Sequence, residues 1–143
     1  MSNVALTLQY DGTNFSGFEL QNGQRTVRGE LEKALQKVFK KKISVISASR
    51  TDAGVHALCQ VVNFTSNKSI PLENLVKALN AVLPEDIRVI KAEEKRQKGK
   101  KEKGFNARYD AKSKEYEYLI YNGSQLPVHF RDLVWRIGPK LNI

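Results

Sequence analysis

The stretch from 47 to 57, Ser-Ala-Ser-Arg-Thr-Asp-Ala-Gly-Val-His-Ala, sets Arg50, Asp52 and His56 within seven positions among small residues. Side chains two apart in an extended segment point to the same side. The Arg50 guanidinium is therefore expected to pair with the Asp52 carboxylate and fix its direction. A carboxylate oriented in this way at a sheet edge can act as a nucleophile or a general base. Asp52 alone would read as an Asx-turn residue; Arg50 is what turns the reading toward chemistry. A Cys-His-Asp hydrolase or a metal site made of Asp52, His56 and Cys59 needs convergent geometry, which a turn running into a strand does not supply by spacing. His56 and Cys59 are accordingly expected to be structural, Cys59 as a small core residue. The segment Asp11 to Gly17 has two glycines but lacks the Gly-Lys-Ser/Thr ending of a phosphate loop.

The elements around this loop must position it. Val4, Leu6, Leu8 and Tyr10 repeat with period two, as in a half-buried strand, and Asp11-Gly12 ends the run. Thr26 is a suitable N-cap for a helix whose apolar face is Val27, Leu31, Ala34, Leu35, Val38 and Phe39, with acids early and lysines late. A short strand at Ile43 and Val45 precedes the loop, and a strand from about Leu58 to Thr65 follows it. A second helix has Pro71 in its first turn and Leu72, Leu75, Val76, Leu79, Val82 and Leu83 on one face, and a strand near 87–90 completes the set. The order is β-α-β-β-α-β. The fold class is thus α+β, a ferredoxin-like domain with an antiparallel sheet, in which the 47–57 loop joins the second and third strands. Helices on one sheet face leave the other for something else.

Beyond this domain, assigned to residues 1–94, the composition changes. The run 95–104 carries six basic residues and one acid from Lys95 to Lys103, a local charge of +5, and reads as a solvated loop or hairpin tip able to touch phosphates. Residues 105–143 form a third segment, with alternation in Lys114 to Tyr121 predicting an additional strand. The tail ends just after a Gly-Pro turn, and the expectation is that the chain breaks off as a second half would begin.

The whole chain has 143 residues, 41% of them hydrophobic and 27% charged, with net charge +9. That size buries enough surface for a real core. The positive balance favours a polyanion, nucleic acid before an anionic membrane. One cysteine cannot make an internal disulfide, the opening Met-Ser-Asn-Val-Ala-Leu-Thr-Leu has no signal-peptide pattern, and no apolar run approaches a membrane span. The expected address is the cytosol.

Five ordered blocks carry a resemblance: residues 10–18 (YDGTNFSGF), 25–35 (RTVRGELEKAL), 49–57 (SRTDAGVHA), 83–89 (LPEDIRV) and 105–122 (FNARYDAKSKEYEYLIYN). Together they resemble the tRNA pseudouridine synthase TruA family, in its N-terminal half plus the first strand beyond it. The resemblance implies that Asp52 is the catalytic aspartate, that Tyr116 stands against the target base, and that Arg50 helps hold the target nucleotide out of the stack. It implies isomerisation of uridine to pseudouridine at tRNA positions 38, 39 and 40, without cofactor or metal, by a homodimer. The additional strand would belong to a larger pseudouridine synthase sheet. Attack by Asp52 at C1′ of the ribose or at C6 of the base both stay open.

Arg25, Arg28, Arg108, Lys100 and Lys101 are candidate contacts to the RNA backbone, each also readable as a surface charge. Judged by its strand alone, Tyr116 would be a packing residue. The chain departs from the family at Phe18, where Trp is usual, at Asn106, where His is common, in the lysine-rich run, and in length. A non-catalytic RNA-binding remnant, or a fragment needing a missing C-terminal half, is therefore the alternative function.

Overall fold

Strand β1 (Ser2–Tyr10) lies inside the larger sheet, paired antiparallel on both sides. The structure is a computed structural model that describes residues 1–97, 99, 103–138 and 141. Helix α1 (Val27–Phe39), β2 (Ile46–Ser47), β3 (Ala57–Ser66), α2 (Leu72–Val82) and β4 (Ile87–Lys95) follow β1, and the sheet order is β2-β3-β1-β4. All three pairings are antiparallel, so the domain is the expected α+β, ferredoxin-like arrangement.

The helices form where the sequence predicts. The Thr26 side chain accepts from the Gly29 amide at 3.2 Å, and Lys40 ends α1 in the left-handed region at φ 58°. Val27, Leu31, Ala34, Leu35 and Phe39 are buried against the sheet, with Val38 packed at the margin. Pro71 is the N-cap of α2 rather than a residue of its first turn. Its buried residues are Leu75 and Leu79, with Leu72 and Val76 partly covered, whereas Val82 is exposed. The core joins these faces to Val4, Leu6, Leu8 and Tyr10 of β1, Val62 and Phe64 of β3, and Ile87 and Val89 of β4.

Two bulges alter the alternation read from the sequence. In β3, Leu8 pairs with Gln60 but Tyr10 with Ala57, so β3 carries an extra residue. Gln60 keeps the inward phase of Val62 and Phe64, whereas Cys59 falls on the opposite face and is exposed, which corrects the expectation that Cys59 fills the core. In β4, Thr7 pairs with Lys91 and Leu8 with Val89, leaving Ile90 over. Asn80 of α2 braces that bulge, donating to the Val89 carbonyl at 2.9 Å and accepting from the Val89 amide at 2.8 Å.

Away from the helices, Asn3 and Asn63 are almost fully buried and clasp the chain near residue 105. Asn63 donates to the Asn3 side-chain oxygen at 2.9 Å and accepts from the Ala107 amide at 2.8 Å, while Asn3 donates to the Phe105 carbonyl at 2.9 Å. The second sheet face is thus capped by backbone docked on polar side chains.

The chain divides into two compact units, Met1–Lys112 and Ser113–Ile143. In the second, the additional strand is shorter than the predicted 114–121. Among the described residues only β5 (Ile120–Tyr121) pairs, parallel with β6 (Trp135–Arg136), and a short 3₁₀ turn (Val128–Phe130) lies between them. Alternation sets the two faces of a segment, but a strand exists only where a partner backbone takes its hydrogen bonds. Among the described residues, no helix is long and apolar enough to cross a membrane.

Candidate active site around Asp52

Asp52 sits exposed at the first position of a tight turn, where the Val55 amide donates to the Asp52 carbonyl at 3.2 Å. Gly54 takes φ 78° in that turn, a conformation that favours glycine. The turn is rigidly seated, because the segment 11–18 before α1 interlocks with it. The Phe18 amide donates to the Thr51 carbonyl at 2.9 Å, the Gly54 amide to the Phe15 carbonyl at 3.3 Å, and the Gly12 amide to His56 Nδ1 at 3.1 Å. Phe15 and Phe18 are buried and anchor this segment in the core. Gly12 and Gly17 allow the two loops to touch: a Cβ on Gly12 would fall 2.0 Å from the Val55 carbonyl oxygen, and one on Gly17 3.0 Å from that of Thr51.

The base of the loop is fixed from the strands. Gln60, on the same inward face of β3 as Val62 and Phe64, donates to the Ser49 carbonyl at 2.9 Å and accepts from its amide at 3.3 Å. The Tyr10 and Thr51 hydroxyls share a hydrogen bond of 2.7 Å. His56 is structural, as expected: its Nδ1 meets the Gly12 amide and lies 3.1 Å from Asp11 Oδ1. Hydrogen bonds from the Thr13 hydroxyl and amide, with a smaller contribution from His56, hold the Asp11 carboxyl below the usual carboxylate range.

Arg50 does not do what its spacing suggests. Its Nε pairs with Glu19 Oε2 at 3.1 Å, and it makes no ion pair with Asp52. Glu19, one residue past the tethered Phe18, is a competing carboxylate that spacing within the loop could not reveal. Arg25 donates through both terminal nitrogens to Asp86, at 2.7 and 2.9 Å, and lies over the Phe15 ring at 4.1 Å. Arg28 is held by Glu19 and Glu32. Hydrogen bonds to these partners outweigh partial burial and raise both guanidinium pKa values. Arg108 is exposed in a turn that the Asn106 side chain caps by accepting from the Arg108 amide at 3.0 Å. Lys100 and Lys101 lie outside the described residues. Tyr116 belongs to the second unit, half exposed, whereas Asp52 and Arg50 belong to the first.

Sequence reasoning missed Gln60, Glu19 and Asn63. The signal for Gln60 and Asn63 was available: polar side chains inside an apolar strand demand buried partners.

Fold and loop together define a class, a split-βαβ sheet whose β2–β3 connection raises an exposed, firmly seated aspartate. The chain belongs to the tRNA pseudouridine synthase family, whose profile matches residues 7–110. It is 46% identical over 144 aligned residues to a protein named tRNA pseudouridine synthase A from Thermoanaerobacter sp. (strain X514), covering 100% of this chain and 56% of that protein. Proteins of the same name from Dictyoglomus turgidum and Brachyspira hyodysenteriae are each 44% identical, covering 99% and 94% of this chain and 56% and 52% of their own lengths. The chain spans about half the length of the curated relatives it matches.

Proposed function

We propose that the protein isomerises uridine to pseudouridine in tRNA, in the anticodon stem-loop at positions 38, 39 and 40, with Asp52 as the nucleophile. The observation that carries the reading is an exposed carboxylate on an immobilised turn, in a chain of the tRNA pseudouridine synthase family. Turnover breaks the N1–C1′ bond and joins C1′ to C5; the C5 hydrogen leaves as a proton and N1 gains one, so atoms and electrons balance within the nucleotide. Asp52 attacks either C1′ or C6. The base must first leave the stack, at about a few kcal/mol, and Tyr116 offers an aromatic face to receive it. Arg50 holds the displaced nucleotide. Arg108, Lys100 and Lys101 contact backbone phosphates, and Arg25 and Arg28 add only the guanidinium edges that their carboxylates leave open. A homodimer acting in the cytosol completes the proposal.

Tritium release from unmodified tRNA labelled at C5 of uridine tests the chemistry. Wild-type release that vanishes in Asp52→Asn, with tRNA binding kept, is the expected result. Substantial release by Asp52→Asn would sink the assignment. The second reading, RNA binding without turnover unless another polypeptide is added, draws on the half-length match to the relatives. It predicts binding with no release until that polypeptide is supplied in trans.

A further inference from the structure

Glu19 follows Phe18, a fully buried residue whose amide is bonded to Thr51 beside the aspartate. Its carboxylate therefore has a fixed origin at the flank of the Asp52 loop. One oxygen accepts from Arg28 and the other meets Arg50 Nε at 3.1 Å. Arg28 is anchored on its far side, donating to Glu32 at 2.8 Å and to the Ser44 hydroxyl at 2.9 Å, and Glu32 also accepts from the Val45 amide at 3.0 Å. The chain of contacts thus runs from the loop to α1 and the approach to β2. Its two cations are unequal: the Arg28 side chain is 20% exposed and that of Arg50 60%. Arg28 is built in, whereas Arg50 is exchangeable.

We propose that Glu19 is a positioning residue for Arg50, holding its guanidinium toward α1 and off Asp52 until an RNA phosphate takes its place. The inference rests on the proposed function. Without Glu19, the nearest carboxylate along the extended backbone for Arg50 is Asp52, two residues on. A carboxylate whose lone pairs are spent on a guanidinium fork is a weaker nucleophile. Phosphate presents the same planar pair of acceptors to arginine as a carboxylate does. An ion pair this exposed is weakly held, so an arriving strand can displace Glu19 and recruit Arg50 without disturbing the anchored Arg28.

The test follows the Nε–Hε NMR signal of Arg50, assigned by its loss in Arg50→Gln. Glu19→Gln is expected to move this signal in the RNA-free protein, and an unmodified RNA hairpin is expected to move it in the wild type. Glu19→Gln should also raise hairpin affinity several-fold, a gain that disappears on an Arg50→Gln background. An Arg50 signal indifferent to Glu19→Gln overturns the inference, as does an affinity gain equally large without Arg50, which would mark a net-charge effect alone. Should Glu19→Gln not fold, Glu19→Asp, which keeps the charge but withdraws it, is expected to move the same signal. Failure of the proposed function is read separately, as absent tritium release with the Arg50 signal still responding to Glu19.

Discussion

Two glycines near Asp52 are needed for different reasons, and substitution separates them. Gly12 is required for space, because a Cβ there would meet the Val55 carbonyl oxygen at 2.0 Å. Gly54 is required for its φ of 78°, and a Cβ there would meet nothing within 4 Å. Gly12→Ala must push the two loops apart and is expected to cost about 2 kcal/mol or more, with loss of turnover because Asp52 moves with Val55. Gly54→Ala is expected to cost about 1–2 kcal/mol, and Gly54→Asn less, with turnover largely kept. Urea unfolding of the three variants, set beside tritium release, checks the order; equal costs for Gly12→Ala and Gly54→Ala would contradict it. At this scale Asp52 was legible because its neighbours are unusual for a turn. The Arg50 partner was not, because Glu19 is distant in sequence and arrives only through the Phe18–Thr51 tether.

Helices and strands show how far periodicity reaches. The faces of α1 and β1 could be read directly, since a single phase runs along each element. β3 could be read only in part, because a polar residue, Gln60, takes the inward position in phase with Val62 and Phe64 while Cys59 falls on the other, exposed face. The strand expected over 114–121 contracts to Ile120–Tyr121: Tyr116 and Tyr118 alternate properly but are 56% and 85% exposed. The Asn3–Asn63 clasp carries a prediction at this scale. Asn63 makes the bonds to Asn3 and to the Ala107 amide, and also donates to the Phe105 carbonyl at 3.3 Å, all of them sheltered. Asn63→Leu fills the volume but strands these groups, at an expected cost of about 2–4 kcal/mol. Hydrogen exchange at Ala107 should accelerate by the matching factor, about tenfold per 1.4 kcal/mol for local opening. An Ala107 amide as protected as in the wild type would show that the segment is held by other contacts.

Charge is the property of the whole chain that bears on its partner. Of the net +9, the run from Lys95 to Lys103 supplies six cations and one anion, a contribution of +5. Residues before that run, by contrast, spend several of their arginines internally: Arg25 on Asp86, and Arg28 and Arg50 on Glu19. Net charge therefore overstates how much of the domain's charge is available to phosphate, and the lysine-rich run is the densest block of cations in the sequence. Each cation that neutralises a phosphate steepens the fall of log affinity with log salt by about 0.7–0.9. Replacing Lys98, Lys100 and Lys101 together by glutamine should thus flatten the slope for an anticodon stem-loop RNA by about 2–3 if all three touch phosphate. Because these residues belong in sequence neither to the Asp52 loop nor to the 11–18 segment that seats it, tritium release at saturating tRNA should persist while the tRNA concentration needed for it rises. An unchanged salt slope would make the run a solvated surface feature, and binding would then have to be carried by the exposed cations of the domain, Arg108 first among them.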